Sequence, residues 1–526
     1  MLTRAGFRRV TYWVAVIFLL ILAAPVTWGA EKTFPLDKVK PGMNGYGYTV
    51  FSGTKIEKFK VKVIATVDGS FGKNKLILVR LLGKSVEENG GLSAGMSGSP
   101  IYLDDCLAGA ISYGFENADS TLALVTPINS MLQLLNENQK VVYLTGYKLK
   151  AVPVATPVMV SGMKQRGFEL MAERLKKYGF QAVFVPNAGV SSLEMGKGLI
   201  KPGSAIAVLM SAGDYQVSAI GTVTWRDGKD FLAFGHAYNN RGKVDYFAYQ
   251  ANILQTVKSS QMSFKLGAPL KLIGRIIQDR QSGIVGRLEE TPAFIPVQIN
   301  IKDNDRNLTK KSTFYVPSGE QVFHDLIISG VTDAIDQAID RVGAGSAKVN
   351  LKIETSGGQD QIIRDNLFYN KDIAVASIKD LDYLLTLIHD NDYSPIIMKG
   401  ISVNMELDSE HTTARIVKIV SESAKAKPGD TVRFNVLLHK YRGDDITVPI
   451  EFKLPVGIKS GKLTVTVCGG SREAAGGFDD DAKKDAFKLD YKGTLSFQDL
   501  LANFLAQPKN NELVLEYDPT NEAKSA

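Results

Sequence analysis

The chain has 526 residues, 44% of them hydrophobic and 22% charged, an ordinary globular composition with enough apolar content for three or four domains. Its formal net charge is +7, of which Arg4, Arg8 and Arg9 supply three; the remaining +4 is spread along the chain with no concentrated basic patch, which argues against nucleic acid as a partner. Cys106 and Cys468 are the only cysteines, the five histidines are scattered, and CxxC and HExxH patterns are absent, so no metal site and no cofactor is expected.

Residues 1–30 read as an export signal. Arg4, Arg8 and Arg9 form a charged start, Val10 to Ala24 is apolar, and Pro25 to Ala30 holds small residues. The apolar run is short for a membrane span, and no second spanning segment follows. The chain is therefore expected outside the cytoplasm: periplasmic, secreted or in the cell envelope, or anchored there by an uncleaved N-terminal segment.

From Glu31 to about Asn138 the pattern predicts an all-β unit. Phe59, Val61 and Val63 alternate with lysines, Leu76 to Val79 is continuous and apolar, and Leu122 to Val125 is a last strand before a short helix opened by Pro127. Residues 139–180 read as a connector with a helix, capped by Ser161 and ended by Gly179. A second β unit spans 181–317. Within it Gly221 to Trp225 pairs through Asp227-Gly228 with Phe231 to Phe234, since Asp-Gly favours a hairpin turn. Residues 318–401 are helical and mixed, with a helix over Ser318–Val342 and another begun by Ser377 and Asp380 as a capping box. Residues 402–526 alternate in short strands, predicting an immunoglobulin-like β-sandwich, with a loose loop over Gly469–Lys484 and a late helix capped by Ser496.

Chemistry concentrates at Gly95-Met96-Ser97-Gly98-Ser99-Pro100. A serine hydroxyl becomes a nucleophile only with a base beside it and backbone N–H groups aimed at the oxyanion. Glycine at 95 turns the N–H groups of Gly95 and Ser97 toward one point, and glycine at 98 lets a peptide backbone pass close. Two strands, Ile101–Leu103 and Leu107–Gly114, follow around a turn at Asp104-Asp105. Gly109 to Gly114 is similar to the Gly-x-x-Ser-aromatic-Gly strand that lines the primary specificity pocket in trypsin-like folds, which marks Ser112, Tyr113 and Gly114 as substrate-binding candidates.

The base must be a histidine. His324 and His389 lie in helical segments, and His411 and His439 in or beside the C-terminal strands. His236 alone ends a hairpin strand at a sheet rim, after Gly235 and before the polar run Tyr238-Asn239-Asn240, where loops meet other units.

These motifs, with Gly90-Gly91, the approach from Gly221-Thr222-Val223-Thr224 to Phe234-Gly235-His236, and the later Ile276 to Arg280 and Gly283 to Leu288 segments, resemble the SpoIVB peptidase family, the S55 serine peptidases, over roughly residues 35–300. The resemblance implies a mainly β fold with some helices (α+β), its core a trypsin-like pair of β-barrels. Ser97 would be the nucleophile and His236 the general base. The order is permuted, because in the sporulation peptidase that names the family the Gly-His segment precedes the serine. The family acid would fall near Leu82, which cannot orient an imidazole. Asp279 is the favoured replacement, with Asp214, Glu87, Glu88 and Asp245 as alternatives.

The expected function is thus an exported serine endopeptidase acting on a protein or peptide substrate in the cell envelope. The alternative is a non-catalytic envelope binding or scaffold protein that keeps the peptidase fold. An esterase or self-processing enzyme would use the same dyad, and self-cleavage near the 139–160 connector stays open.

Overall fold

The computed structural model describes residues 31–517 apart from 69–74, 116–117, 137–150, 155–156, 186–188, 190–191, 197–199, 260–262, 320–321, 459, 471–490 and 492. The expected export signal, much of the 139–160 connector and most of the Gly469–Lys484 loop lie outside the described residues. The fold is mainly β.

In the first unit, β1 (Asn44–Val50), β2 (Ile56–Asp68) and β3 (Lys75–Leu82) form an antiparallel meander. Helix α1 (Lys84–Glu88) and the short β4 (Ser93–Ala94) lead to β5 (Pro100–Leu103), β6 (Cys106–Phe115), β7 (Leu122–Pro127) and α2 (Ile128–Leu132). Strand β5 pairs with both β1 and β6, so the ring β1-β2-β3-β7-β6-β5 closes into a six-stranded barrel. The alternation read in β2 is the reason: Phe59, Val61 and Val63 are buried with Ile77, Val79 and Leu81, while the intervening lysines face out. Asp104 and Asp105 both adopt positive φ, 46° and 58°, the conformation that a two-residue hairpin turn requires. Strand β8 (Ala151–Pro153) then adds to β6 over Tyr113 to Phe115.

A second barrel follows. After β9 (Val158–Ser161), α3 (Gln165–Lys176) and β10 (Ala182–Val185) come β11 (Ala205–Gly213), β12 (Gln216–Asp227), β13 (Asp230–Ala233), β14 (Gly242–Val257), β15 (Ser263–Arg280) and β16 (Gly283–Leu288). Strand β11 pairs with both β12 and β14, closing the ring β11-β12-β13-β16-β15-β14. The barrels meet across an apolar seam in which Tyr102, Leu107, Ala110 and Met131 of the first pack with Leu232 and Val285 of the second. Strand β15 also pairs in parallel with β4, Ser263 opposite Ser93 and Phe264 opposite Ala94.

Beyond the barrels, β17 (Phe294–Asp303), β18 (Leu308–Pro317), β19 (Gly345–Ser356), β20 (Gln361–Asn370) and β21 (Ile397–Asp408) form a sheet in the order β18-β17-β21-β19-β20, joined to β11 through β18. Helix α4 (Phe323–Ile339), α5 (Ile373–Ala376) and α6 (Lys379–Asp390) bury their apolar faces in the core they share with the second barrel. Two expected helix starts fall elsewhere. Ser161 is the last residue of β9, and the amide at the start of α3, Lys164 N, donates instead to Asp333 of α4 (2.9 Å). Ser377 follows α5, which Asp372 caps through Val375 N.

The C-terminal region begins later than residue 402, because β21 runs to Asp408 between β17 and β19. Strands β22 (Ala414–Ser421), β23 (Thr431–Lys440) and β24 (Asp445–Lys453) form one sheet, and β25 (Val465–Gly469) with β26 (Leu513–Tyr517) another. Val432, Phe434 and Leu454 are the small core between them, with Val465 and Leu515 packed against it. The late helix α7 (Phe497–Leu505), capped by Ser496 as expected, leaves this module and buries Phe497, Leu500, Leu501 and Phe504 in the main core. Cys106 and Cys468 are both free thiols.

Candidate active site

The serine loop belongs to the first barrel and is clamped by the second. Its fold is set by glycine: Gly95 and Gly98 take φ of 94° and 88°, and a Cβ at Gly98 would stand 1.9 Å from Thr222 O and 2.5 Å from Phe234 N. No larger residue fits while the barrels are docked. Within the first barrel, Gly98 N donates to Ile111 O (2.8 Å) and Ile111 N to Ser99 O (3.0 Å). From the second barrel, Thr222 N donates to Ser97 O (2.8 Å), Thr222 Oγ1 to Gly95 O (2.9 Å) and Thr224 Oγ1 to Gly98 O (2.7 Å). Met96 is fully buried in the core of the first barrel and anchors the loop from below.

His236 belongs to the second barrel and is held against the first. After β13 the chain turns through Phe234 and Gly235, both with φ near 70°. A left-handed phenylalanine is uncommon and persists where surrounding contacts dictate it. Here Phe234 N meets Thr222 O (3.3 Å), and Thr126 Oγ1 of the first barrel donates to Gly235 O (2.7 Å). The His236 ring is fully buried between Phe234 and Tyr113, whose ring centroids lie 5.9 Å and 6.0 Å away.

The imidazole is held in one sense. His236 Nδ1 lies 2.6 Å from Ala237 O. A carbonyl can only accept, so Nδ1 carries the proton and Nε2 is the free base nitrogen. Burial pushes the imidazole down to about 4, partly offset by that carbonyl, so the ring is neutral at physiological pH. Ser97 Oγ and His236 Nε2 are both buried, and neither has a hydrogen-bond partner among the described residues. They are not hydrogen-bonded to each other.

Asp279 does not orient the imidazole. Its carboxylate accepts the main-chain N–H groups of Tyr238 (2.7 Å), Asn239 (2.7 Å) and Arg241 (3.4 Å). Burial raises its pKa, and these amides pull it back. Asp279 thus fixes the loop that follows His236, and the acceptor on Nδ1 is a main-chain carbonyl. None of the other acids considered is hydrogen-bonded to the imidazole. Asp214 accepts Ser312 Oγ and Thr313 N, Asp245 pairs with Arg275, and Glu87 and Glu88 lie on α1.

The predicted substrate strand lies beside the serine loop. Ser112 is buried, with its hydroxyl on Leu124 O (3.1 Å), Tyr113 flanks His236 with its phenol pushed up to about 12 by burial, and Gly114 pairs with Val152 of β8. Sequence reasoning missed Thr126, Thr222 and Thr224, which dock the barrels, and the Ala237 carbonyl. No motif marks them, although threonines two apart on a strand leading toward the histidine were a signal for hydroxyls on one face. Among the described residues no cluster of three or more His, Cys, Asp or Glu side chains could hold a metal ion. No described helix is long and apolar enough to cross a membrane.

Comparison with known proteins bears on this site. The SpoIVB peptidase S55 family profile matches residues 34–132, which takes in the first barrel and Ser97 and stops short of His236. No curated protein and no solved structure matches the chain.

Proposed function

We propose that this chain, whose residues 34–132 place it with the SpoIVB peptidase S55 family, is an exported serine endopeptidase in which Ser97 is the nucleophile and His236 the general base. One observation carries the reading. Ser97 Oγ and His236 Nε2 are both buried and unpaired among the described residues, and the segments that carry them bond to the same residue, Thr222 N to Ser97 O and Phe234 N to Thr222 O. Buried polar groups are mostly satisfied, and each unpaired one calls for an explanation. Ser99 Oγ, Gln216 Oε1, Tyr238 OH and Ser329 Oγ are unpaired too, but only Ser97 and His236 pair a nucleophile with a free base nitrogen on segments that bond to the same strand.

The chemistry follows from the arrangement. His236 Nε2 takes the Ser97 proton as Oγ attacks a peptide carbonyl carbon, and the Gly95 and Ser97 N–H groups receive the oxyanion. The imidazolium then gives that proton to the leaving amine. Water, activated by the same nitrogen, releases the acyl group. The Ala237 carbonyl supports this cycle by fixing the tautomer with Nε2 free. Arg4, Arg8, Arg9 and the apolar run that follows support export.

The test is covalent labelling of the purified chain with a fluorophosphonate, beside Ser97→Ala and His236→Ala. Labelling that needs both residues is expected. The serine variant should lower peptide turnover by about six orders of magnitude, the size of effect found when a triad serine is removed. A folded wild type that neither labels nor cleaves would instead favour the scaffold reading. That reading has one specific observation behind it: no carboxylate among the described residues is hydrogen-bonded to His236.

A further inference from the structure

A segment of the chain itself lies against the serine loop. Strand β8 lies antiparallel along the specificity strand, Pro153 opposite Tyr113, Val152 opposite Gly114 and Ala151 opposite Phe115. The next residue continues the pattern into the serine loop. Val154 N donates to Ser112 O (2.8 Å), and Val154 O accepts the N–H of Gly95 (3.3 Å). That N–H is the candidate oxyanion donor. The Val154 side chain is fully buried, in the same apolar cluster as Met96, Ile111 and Val125.

An edge strand is often covered simply to protect it. Protection requires the ladder bonds to β6 and nothing more. It does not require the carbonyl after the ladder to sit on the amide two residues before the serine. A peptide bound by strand addition, with its terminal side chain in a pocket and that carbonyl at the oxyanion donor, occupies the acyl-donor position of a serine peptidase.

We propose that Ala151–Val154 is the enzyme's built-in first substrate, and that Ser97 cuts the peptide bond on the carbonyl side of Val154. The proposal rests on the reading of Ser97 and His236 given above. The bond from Ser97 Oγ to the Val154 carbonyl carbon forms, and the Ser97 proton passes to His236 Nε2. The carbon–nitrogen bond to residue 155 breaks, and the released amine takes that proton. Water then hydrolyses the ester, leaving a carboxylate on Val154 and a new amino terminus at residue 155. The two pieces stay docked through the hydrogen bonds from Thr222 and Thr224 to the serine loop and from Thr126 to Gly235. The same seat defines what the enzyme takes in trans: extended peptides with a small aliphatic residue at the acyl position and proline before it.

The experiment follows the full chain by intact mass and N-terminal sequencing, beside Ser97→Ala, and adds two chromogenic peptides, Ala-Val-Pro-Val and Ala-Val-Pro-Lys, each joined to the reporter through its last carbonyl. Wild type is expected to yield two associated pieces, the second beginning at residue 155, while Ser97→Ala stays whole. The valine peptide should be turned over about 100-fold faster than the lysine peptide, since an apolar pocket of valine size rejects a charged chain. A wild-type chain that stays whole while Ser97 takes up a fluorophosphonate would overturn the proposal and leave the peptidase reading standing. A Ser97-dependent cut at another bond, or preference for the lysine peptide, would do the same. A whole chain with no labelling and no peptide turnover would remove the peptidase reading as well.

Discussion

Thr126 Oγ1 donates a 2.7 Å hydrogen bond to the carbonyl of Gly235, and the two residues belong to different barrels. Thr126 ends a strand of the barrel that carries Ser97, and Gly235 immediately precedes His236. This bond ties the position of the base to the body that holds the nucleophile. Thr126→Val keeps the shape and removes the donor, leaving the buried carbonyl unpaired at a cost of about 1–3 kcal/mol. Because the loosened element carries the base, kcat should fall about 10- to 100-fold with KM little changed. Thr126→Ser should restore most of it. Steady-state kinetics on a chromogenic peptide decide the point, and a change confined to KM would show that the bond serves substrate binding instead.

The pH dependence should be displaced toward acid. A free imidazole titrates near 6.5, whereas burial pushes His236 down to about 4. The base form therefore persists through mildly acidic pH, and the acid limb of kcat/KM should fall near pH 4. The stability consequence has a definite sign. Between about pH 4 and 6.5 the unfolded chain binds a proton that the folded chain refuses, so the stability from neutral His236 is full above 6.5. It falls away as the pH drops, by about 3 kcal/mol in all. Melting temperatures of wild type and His236→Gln from pH 4 to 7.5 should show a wild-type slope that the variant lacks. Parallel curves would mean that the ring is not held neutral.

Asp279→Asn separates two roles for that carboxylate. Its oxygens hold the N–H groups of Tyr238, Asn239 and Arg241, and an amide offers one acceptor oxygen where the carboxylate offers two. The loop carrying the Ala237 carbonyl should loosen, with a loss in kcat of about 10- to 100-fold and an unchanged acid limb. A triad acid behaves differently, since its amide replacement costs about four orders of magnitude through the wrong tautomer. A loss of that size would return Asp279 to the imidazole.

The sequence made the barrels and the nucleophile readable and left the rest of the site obscure. Alternation of Phe59, Val61 and Val63 with lysines is a local signal, and so is the Asp227-Gly228 turn, and both survive folding intact. Ser97 announces itself through glycines whose φ values only a tight loop needs. The closing pairs β5–β6 and β11–β12 join neighbours in sequence, which makes them legible, whereas β8 on β6 and β4 on β15 depend on how two completed barrels dock. Asp279 was misread for the same reason. A carboxylate on a strand end is identical in sequence whether it faces an imidazole or three main-chain amides, and only the path of the 238–241 loop decides between them. The orienting group on His236 is a main-chain carbonyl, which no side-chain pattern can encode.

Lys265 offers a test of that docking from the side of stability. It lies on β15, just past the residues that pair with β4, and is fully buried with its Nζ donating to Thr49 Oγ1 of the first barrel (2.7 Å). Burial pushes the amine down to about 7 against an ordinary value near 10.4. The folded state therefore resists protonation that the unfolded chain accepts. Stability from the neutral amine is full above about pH 10.4 and is lost as the pH falls to about 7. Lys265→Met keeps the length and removes the titration, so it should stabilise the protein at pH 7, by at most about 4 kcal/mol. From that, about 1 kcal/mol is taken back by the Thr49 hydroxyl losing its partner. The gain should shrink steadily toward pH 10. Urea unfolding at pH 7 and pH 10 measures it directly. An equal gain at both values would mean that apolar packing, and not the buried amine, limits how firmly the β15 strand seats against the first barrel.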